Sequence, residues 1–164
     1  MLRPTALLAA LLAAAPVLAH EYAVGALVID HPVITATPPA APVAGGYLRI
    51  TNTGDADDVL VSAVADPART PLVQLHRMAL EDGVMRMSEV AGGIPIPAGE
   101  TVVLERGGLH VMFMQLPRGF SEVGDTLPAT LTFRDAGPVD IVFDVEGRGG
   151  SNGAAAGGHG RHGD

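Results

Sequence analysis

The chain contains no cysteine. That single absence removes blue-copper electron-transfer sites, structural zinc knuckles, iron–sulfur clusters and thiol oxidoreductases, all of which need a thiolate. It also means that the fold stands on burial and hydrogen bonding without disulfides. Lysine is missing too: the ten basic residues are all arginine, and the formal net charge is −8. No basic stripe is available to follow a phosphate backbone, so nucleic acid is excluded as a partner. Tryptophan is absent and aromatic residues make up 4% of the chain, which leaves no aromatic-rich face for an organic substrate. Neither a Gly-x-Ser-x-Gly elbow nor a His-Glu-x-x-His helix occurs. The chain is not read as an enzyme.

What is abundant points to β-structure. Of 164 residues 48% are hydrophobic, while Gly (21) and Pro (13) are frequent, a balance that favours short strands joined by turns in one domain. β-type runs occur near Tyr22–Ile29, Ala44–Thr51, Val59–Val64, Leu72–Met78, Val84–Val90, Thr101–Glu105, Leu109–Leu116, Ala129–Phe133 and Val139–Glu146. Nine strands predict a two-sheet Greek-key sandwich. Between them, Asn52–Gly54 and Glu81–Gly83 suit tight turns, and Gly107-Gly108 permits positive φ. His31 precedes Pro32 and is expected to be extended and structural.

The two ends have a different character. Residues 1–19 have the layout of a secretory signal: Arg3, an apolar run from Ala6 to Ala15, and the small-residue site Val17-Leu18-Ala19. The run is too short to span a bilayer. Cleavage there predicts an exported, periplasmic chain starting at His20, with no membrane span after cleavage. Residues 147–164 are mainly Gly, Ala, Ser and Asn, with Arg148, Arg161, Asp164, His159 and His162 and no large apolar anchor, a composition that predicts disorder. The middle is therefore read as a β-domain over 20–146.

The chemistry is concentrated in one window. Apart from Met1, every methionine lies between positions 78 and 114: Met78, Met85, Met87, Met112 and Met114. His76 and His110 lie in or beside the same window. Residues two apart on a strand share a face, so His110, Met112 and Met114 fall together, as do His76 with Met78, and Met85 with Met87. A methionine on a strand face is ordinarily core filler. Two His-x-Met pairs and a third Met pair, all on strands, favour a ligand set instead. Thioether and imidazole donors without carboxylate form a neutral, soft set suited to Cu(I). The imidazoles must be deprotonated to bind, so affinity is expected to fall as pH drops through the histidine range.

These residues, with Gly45-Gly46-Tyr47-Leu48, Asn52-Thr53-Gly54-Asp55, Glu81-Asp82-Gly83-Val84, Ile96-Pro97-Ala98-Gly99 and Gly107-Gly108-Leu109-His110, resemble the PCuAC family of periplasmic copper chaperones. The resemblance implies a cupredoxin-like Greek-key β-sandwich and a Cu(I) site at His76, Met87, His110 and Met112. Met87 is preferred over Met85 because the family places a Met ten residues after the first His, and ten residues separate His76 from Met87. The family has twenty-one residues before its closing His-x-Met, and this chain has twenty-two. The extra residue is assigned to the turn at Ala91-Gly92-Gly93. Val33 stands where relatives carry Trp, read as a packing change. The resemblance further implies delivery of copper to respiratory oxidase centres, with an oxidase copper-binding subunit as the protein acceptor.

Two other readings share the same residues. A copper store or scavenger would have the same site and no dedicated acceptor, and a structural β-domain would use the methionines for packing alone. His159 and His162, with an amino-terminal His20, could add a weaker Cu(II) site, because amine and imidazole nitrogens suit that ion. An oxidase built on His20 as an N-terminal brace would also need a second convergent imidazole and a substrate face.

Overall fold

The apolar runs become eleven β-strands and no helix in the computed structural model, which describes residues 21–147. In chain order they are β1 (Glu21–Val24), β2 (Leu27–Thr35), β3 (Val43–Asn52), β4 (Asp58–Ala65), β5 (Leu72–Glu81), β6 (Val84–Glu89), β7 (Ile94–Ile96), β8 (Thr101–Leu104), β9 (Leu109–Met114), β10 (Thr126–Phe133) and β11 (Gly137–Glu146). Hydrogen bonding links them in the order β6-β5-β9-β3-β2-β11-β10-β4-β7, with β1 attached to β2 and β8 to β3. The β2–β11 pairing is parallel and all the others are antiparallel.

The long strand β3 makes this one continuous ladder instead of the two separate sheets expected. Its first half pairs with β9 through Val43–Gly46, and its second half pairs with β8 through Leu48–Thr51. The ladder thereby curls on itself and brings strands that share no hydrogen bonds, such as β4 and β5, against each other. A single apolar core fills the interior, with Ile29, Ile34, Ile50, Leu60, Ile96, Phe113, Leu127, Phe133 and Phe143 fully buried. Phe113 meets Phe143 and Phe120 edge to face, with ring centroids 5.4 and 6.1 Å apart. Gly46 is the place where the backbone must approach this aromatic cluster, since a Cβ there would lie 2.7 Å from the Phe113 ring. The product is the all-β sandwich that the sequence predicts.

Strand count and boundaries differ from the expectation in instructive places. The run Tyr22–Ile29 is a hairpin, not one strand, because Gly25 takes φ 57° and turns the chain between β1 and β2. Strand β7 went unread because Pro95 interrupts it; it lies at the end of the ladder and pairs only with β4, where a missing N–H is tolerated. His31 is not extended. It sits at φ 53° in a bulge where the β2–β3 register shifts between Asp30 and Val33, which lets β2 continue past Pro32 to Thr35. Its imidazole is exposed, 3.6 Å from the Glu146 carboxylate.

One buried carboxylate ties the far side of the molecule. Asp58 accepts backbone N–H bonds from Val59, Asp135 and Ala136 at 2.6, 3.0 and 2.9 Å. It thus joins the start of β4 to the β10–β11 turn. Burial pushes its carboxyl up, but the backbone hydrogen bonds together outweigh that and hold it below 3.8.

Candidate metal centre

The antiparallel registers decide which side chains meet, because residues opposite each other share a face. His76 on β5 stands opposite His110 on β9 and, on its other side, opposite Glu89 on β6. Met112 stands opposite Gln74 on β5 and Gly45 on β3, and Met78 stands opposite Met87. The intervening residues Leu75, Val111 and Phe113 point into the core. The His and Met side chains therefore line the face of β6-β5-β9-β3 that turns away from the core.

That outer face is nevertheless covered around the histidines. His76 and His110 are 8% and 5% exposed and Met112 is 9% exposed, whereas Met87 on the edge strand is 48% exposed. The imidazoles are more enclosed than an open donor site at strand ends would require. Tyr47 supplies part of the cover, its ring centroid 6.5 Å from that of His110. Gly45 makes this possible: a Cβ there would collide with the Tyr47 hydroxyl.

Hydrogen bonding fixes the tautomer of each ring. His110 Nδ1 lies 3.1 Å from the Gly108 carbonyl oxygen, which can only accept, so in the neutral ring Nδ1 carries the proton and Nε2 keeps its lone pair. That Nε2 faces the Met87 Sδ at 3.3 Å. Neither atom has a proton to offer the other. Two donors bound to one ion at about 2.0 and 2.3 Å in tetrahedral geometry stand about 3.5 Å apart, close to the spacing observed. The His76 and His110 ring centroids are 5.9 Å apart, and one ion held at about 2.0 Å by a nitrogen of each ring keeps centroids within about 6 Å.

His76 is held differently. Its Nε2 lies 3.0 Å from Gln74 Oε1, and its Nδ1 is buried with no hydrogen-bond partner. A buried nitrogen without a partner is costly unless something fills the role. Burial first, and then the neighbouring His110, push its pKa below the ordinary 6.5, with Glu89 opposing. At neutral pH the ring is uncharged, the form that binds metal.

Of the residues singled out from the sequence, the structure brings His76, His110 and Met87 together and sets Met112 one step along the same face as His110. Met78 faces Met87, while Met85 faces Leu80 and Met114 lies between Val43 and Leu72. Ala91-Gly92-Gly93 falls in the turn between β6 and β7. His20, His159 and His162, the leader and the tail lie outside the described residues. Gln74, Glu89, Tyr47 and Gly108 were not foreseen as part of the site. Gln74 and Gly108 carried a sequence signal, each being two residues before a histidine. Among the described residues no three His, Cys, Asp or Glu side chains converge, so any ion here depends on thioether sulfur. That donor chemistry is soft and uncharged.

Comparison with known proteins identifies the family of the chain. The LpqE-like lipoprotein family matches residues 27–145. A protein of Leifsonia xyli subsp. xyli (strain CTCB07) that carries a lipoprotein name, Lxx21020, is 33% identical over 103 residues. The match covers 63% of this chain and spans 60% of the length of that curated relative. Among solved structures, the apo PCuAC domain from PmoF1 is 28% identical with a TM-score of 0.65, covering 78% of this chain and 99% of that one. The copper-bound PCuAC domain from PmoF2 is 30% identical with a TM-score of 0.64, covering 78% and 98%. The Cu(I) form of DR1885 from Deinococcus radiodurans is 28% identical with a TM-score of 0.58, covering 77% and 80%. The chain belongs to the LpqE-like family, of the PCuAC type.

Proposed function

We propose that this chain is a copper chaperone of the cell envelope that holds one Cu(I) between His76, Met87, His110 and Met112 and passes it to an oxidase copper-binding subunit. The observation that carries the reading is the approach of the His110 Nε2 lone pair to the Met87 sulfur at 3.3 Å, with the unpartnered His76 Nδ1 on the facing strand. Two of the similar structures are a copper-bound and a Cu(I) form, which supports copper as the cargo. The family's lipoprotein name and the signal-like first nineteen residues support an exported, periplasmic location.

The geometry suits transfer without catalysis. His76, His110 and Met112 are enclosed on inner strands, while Met87 is half exposed on the edge strand β6. An acceptor ligand can replace the Met87 thioether first, while three donors still hold the ion. Neutral ligands leave the complex with a single positive charge, which a donor molecule of net charge −8 retains by long-range attraction.

The test is a competition titration with Cu(I) against a chromophoric chelator under reducing conditions, beside the His76→Ala/His110→Ala double variant. One Cu(I) per chain, lost in the variant, is expected. Uptake unchanged in the variant, or none by the natural chain, would return the methionines to packing. Transfer to an isolated oxidase copper domain separates a chaperone from a store, which would keep its ion.

A further inference from the structure

We propose that Glu89 and Gln74 form a hydrogen-bond relay that locks the tautomer of His76 and selects Nδ1, not Nε2, as the nitrogen it offers to the metal. This rests on the copper reading above and names two positioning residues for that site.

The relay follows from donor and acceptor identities. Gln74 Nε2 donates to Glu89 Oε2 at 3.0 Å. A carboxylate only accepts, so the amide must turn its NH₂ group toward Glu89 and its oxygen toward His76. That oxygen, 3.0 Å from His76 Nε2, also only accepts. The proton of the neutral ring therefore sits on Nε2, and Nδ1, buried and without a partner, keeps the lone pair. His110 is the mirror case, with its proton on Nδ1 against Gly108 and its lone pair on Nε2. Strand register is what assembles the relay: Glu89 stands directly opposite His76, and Gln74 is two residues before it on the same face. Orientation of a metal-binding imidazole by the hydrogen bond on its other nitrogen is a general device, and its loss costs typically about 10–100-fold in metal affinity.

Glu89 acts by fixing which way the amide points. Without it the Gln74 amide is free to reverse and present NH₂ to His76 Nε2, which would favour the wrong tautomer. Glu89→Asp keeps a carboxylate that only accepts, so it preserves the direction of the relay. Glu89→Ala does not.

Two measurements test this. In the metal-free protein, imidazole ¹⁵N–¹H correlation spectra report which nitrogen is protonated; His76 is expected at Nε2–H and His110 at Nδ1–H. Cu(I) competition titrations on Gln74→Leu and Glu89→Ala are expected to weaken binding about 10–100-fold, with Glu89→Asp close to the natural chain. Rescue by Glu89→Asp separates positioning from a merely structural role, and Glu89→Ala, at an exposed strand position, carries the test if Gln74→Leu fails to fold. A metal-free His76 protonated at Nδ1, or undiminished Cu(I) affinity in Glu89→Ala, would overturn the relay. A natural chain that takes up no Cu(I) would instead overturn the copper reading and with it the ligand role of Nδ1, while the spectra still decide whether the relay sets the tautomer.

Discussion

Met85 and Met87 are alike in composition, exposure and strand, being 49% and 48% exposed on β6, yet their surroundings differ. Met87 is opposite Met78 and reaches the His110 imidazole, whereas Met85 is opposite Leu80, nearer the hairpin turn. Met87→Ala is expected to weaken Cu(I) binding roughly tenfold or more, about 1.4 kcal/mol, while Met85→Ala leaves it near the natural value. Competition titration of the two variants side by side checks this, and equal losses would mean that the edge strand exchanges its sulfurs. Spacing within a resembling family favoured Met87, but spacing alone does not show that an imidazole lone pair faces it. The ring orientations came from carbonyl and amide oxygens at Gly108 and Gln74, which no pattern of His and Met reveals.

At the level of elements, the site and the stabilising clamp are separated. Strand β6 contributes nothing to the buried core and is exposed along its length; the Asp82-Gly83 turn, at φ 53° and 78°, joins it to β5. Such turns match the twist of a two-residue hairpin. Its loss would disturb the metal face and spare the core. Asp58 does the opposite, binding the start of β4 to the β10–β11 turn far from the histidines. Because its folded pKa lies below the unfolded value of about 3.8, its contribution is fully present above that value and is lost as pH falls through the folded pKa. Asp58→Ala is expected to cost about 1–3 kcal/mol at neutral pH by leaving one buried and two part-buried N–H groups without their acceptor. The variant should also lose part of the decline in stability below pH 3.8. Urea unfolding of both proteins at a series of pH values measures both effects, and parallel pH curves would assign the acid sensitivity to other carboxylates.

For the whole molecule, the curled ladder gives one strand group two tasks. The inner face of β5, β9 and β3 supplies Leu75, Val111, Phe113 and Ala44 to the core, and the outer face carries the imidazoles and thioethers. Ligand substitutions on the outer face thus leave the main apolar cluster intact. If the folded chain alone assembles the donors, Cu(I) binds the native state and stabilises it by about 2.7 kcal/mol at a free concentration one hundred times Kd. For a domain of this size that corresponds to a rise of about 10 °C in Tm. Thermal unfolding with and without Cu(I) under reducing conditions checks it, and the rise should vanish in His76→Ala/His110→Ala.

Composition and period were enough to determine the class of fold and the faces. Absence of cysteine and scarcity of aromatics narrowed the chemistry, and two-residue alternation set Leu75, Val111 and Phe113 against His76, His110 and Met112, because pleating fixes which neighbours share a side. What only the tertiary structure decided was cross-strand register, since nothing local to β5 states that His76 will lie between His110 and Glu89. The bulge at His31, the strand around Pro95 and the passage of β3 between partners were also hidden from a local reading. Each depends on hydrogen bonds to residues distant along the chain, and those bonds exist only once the ladder has closed over its core.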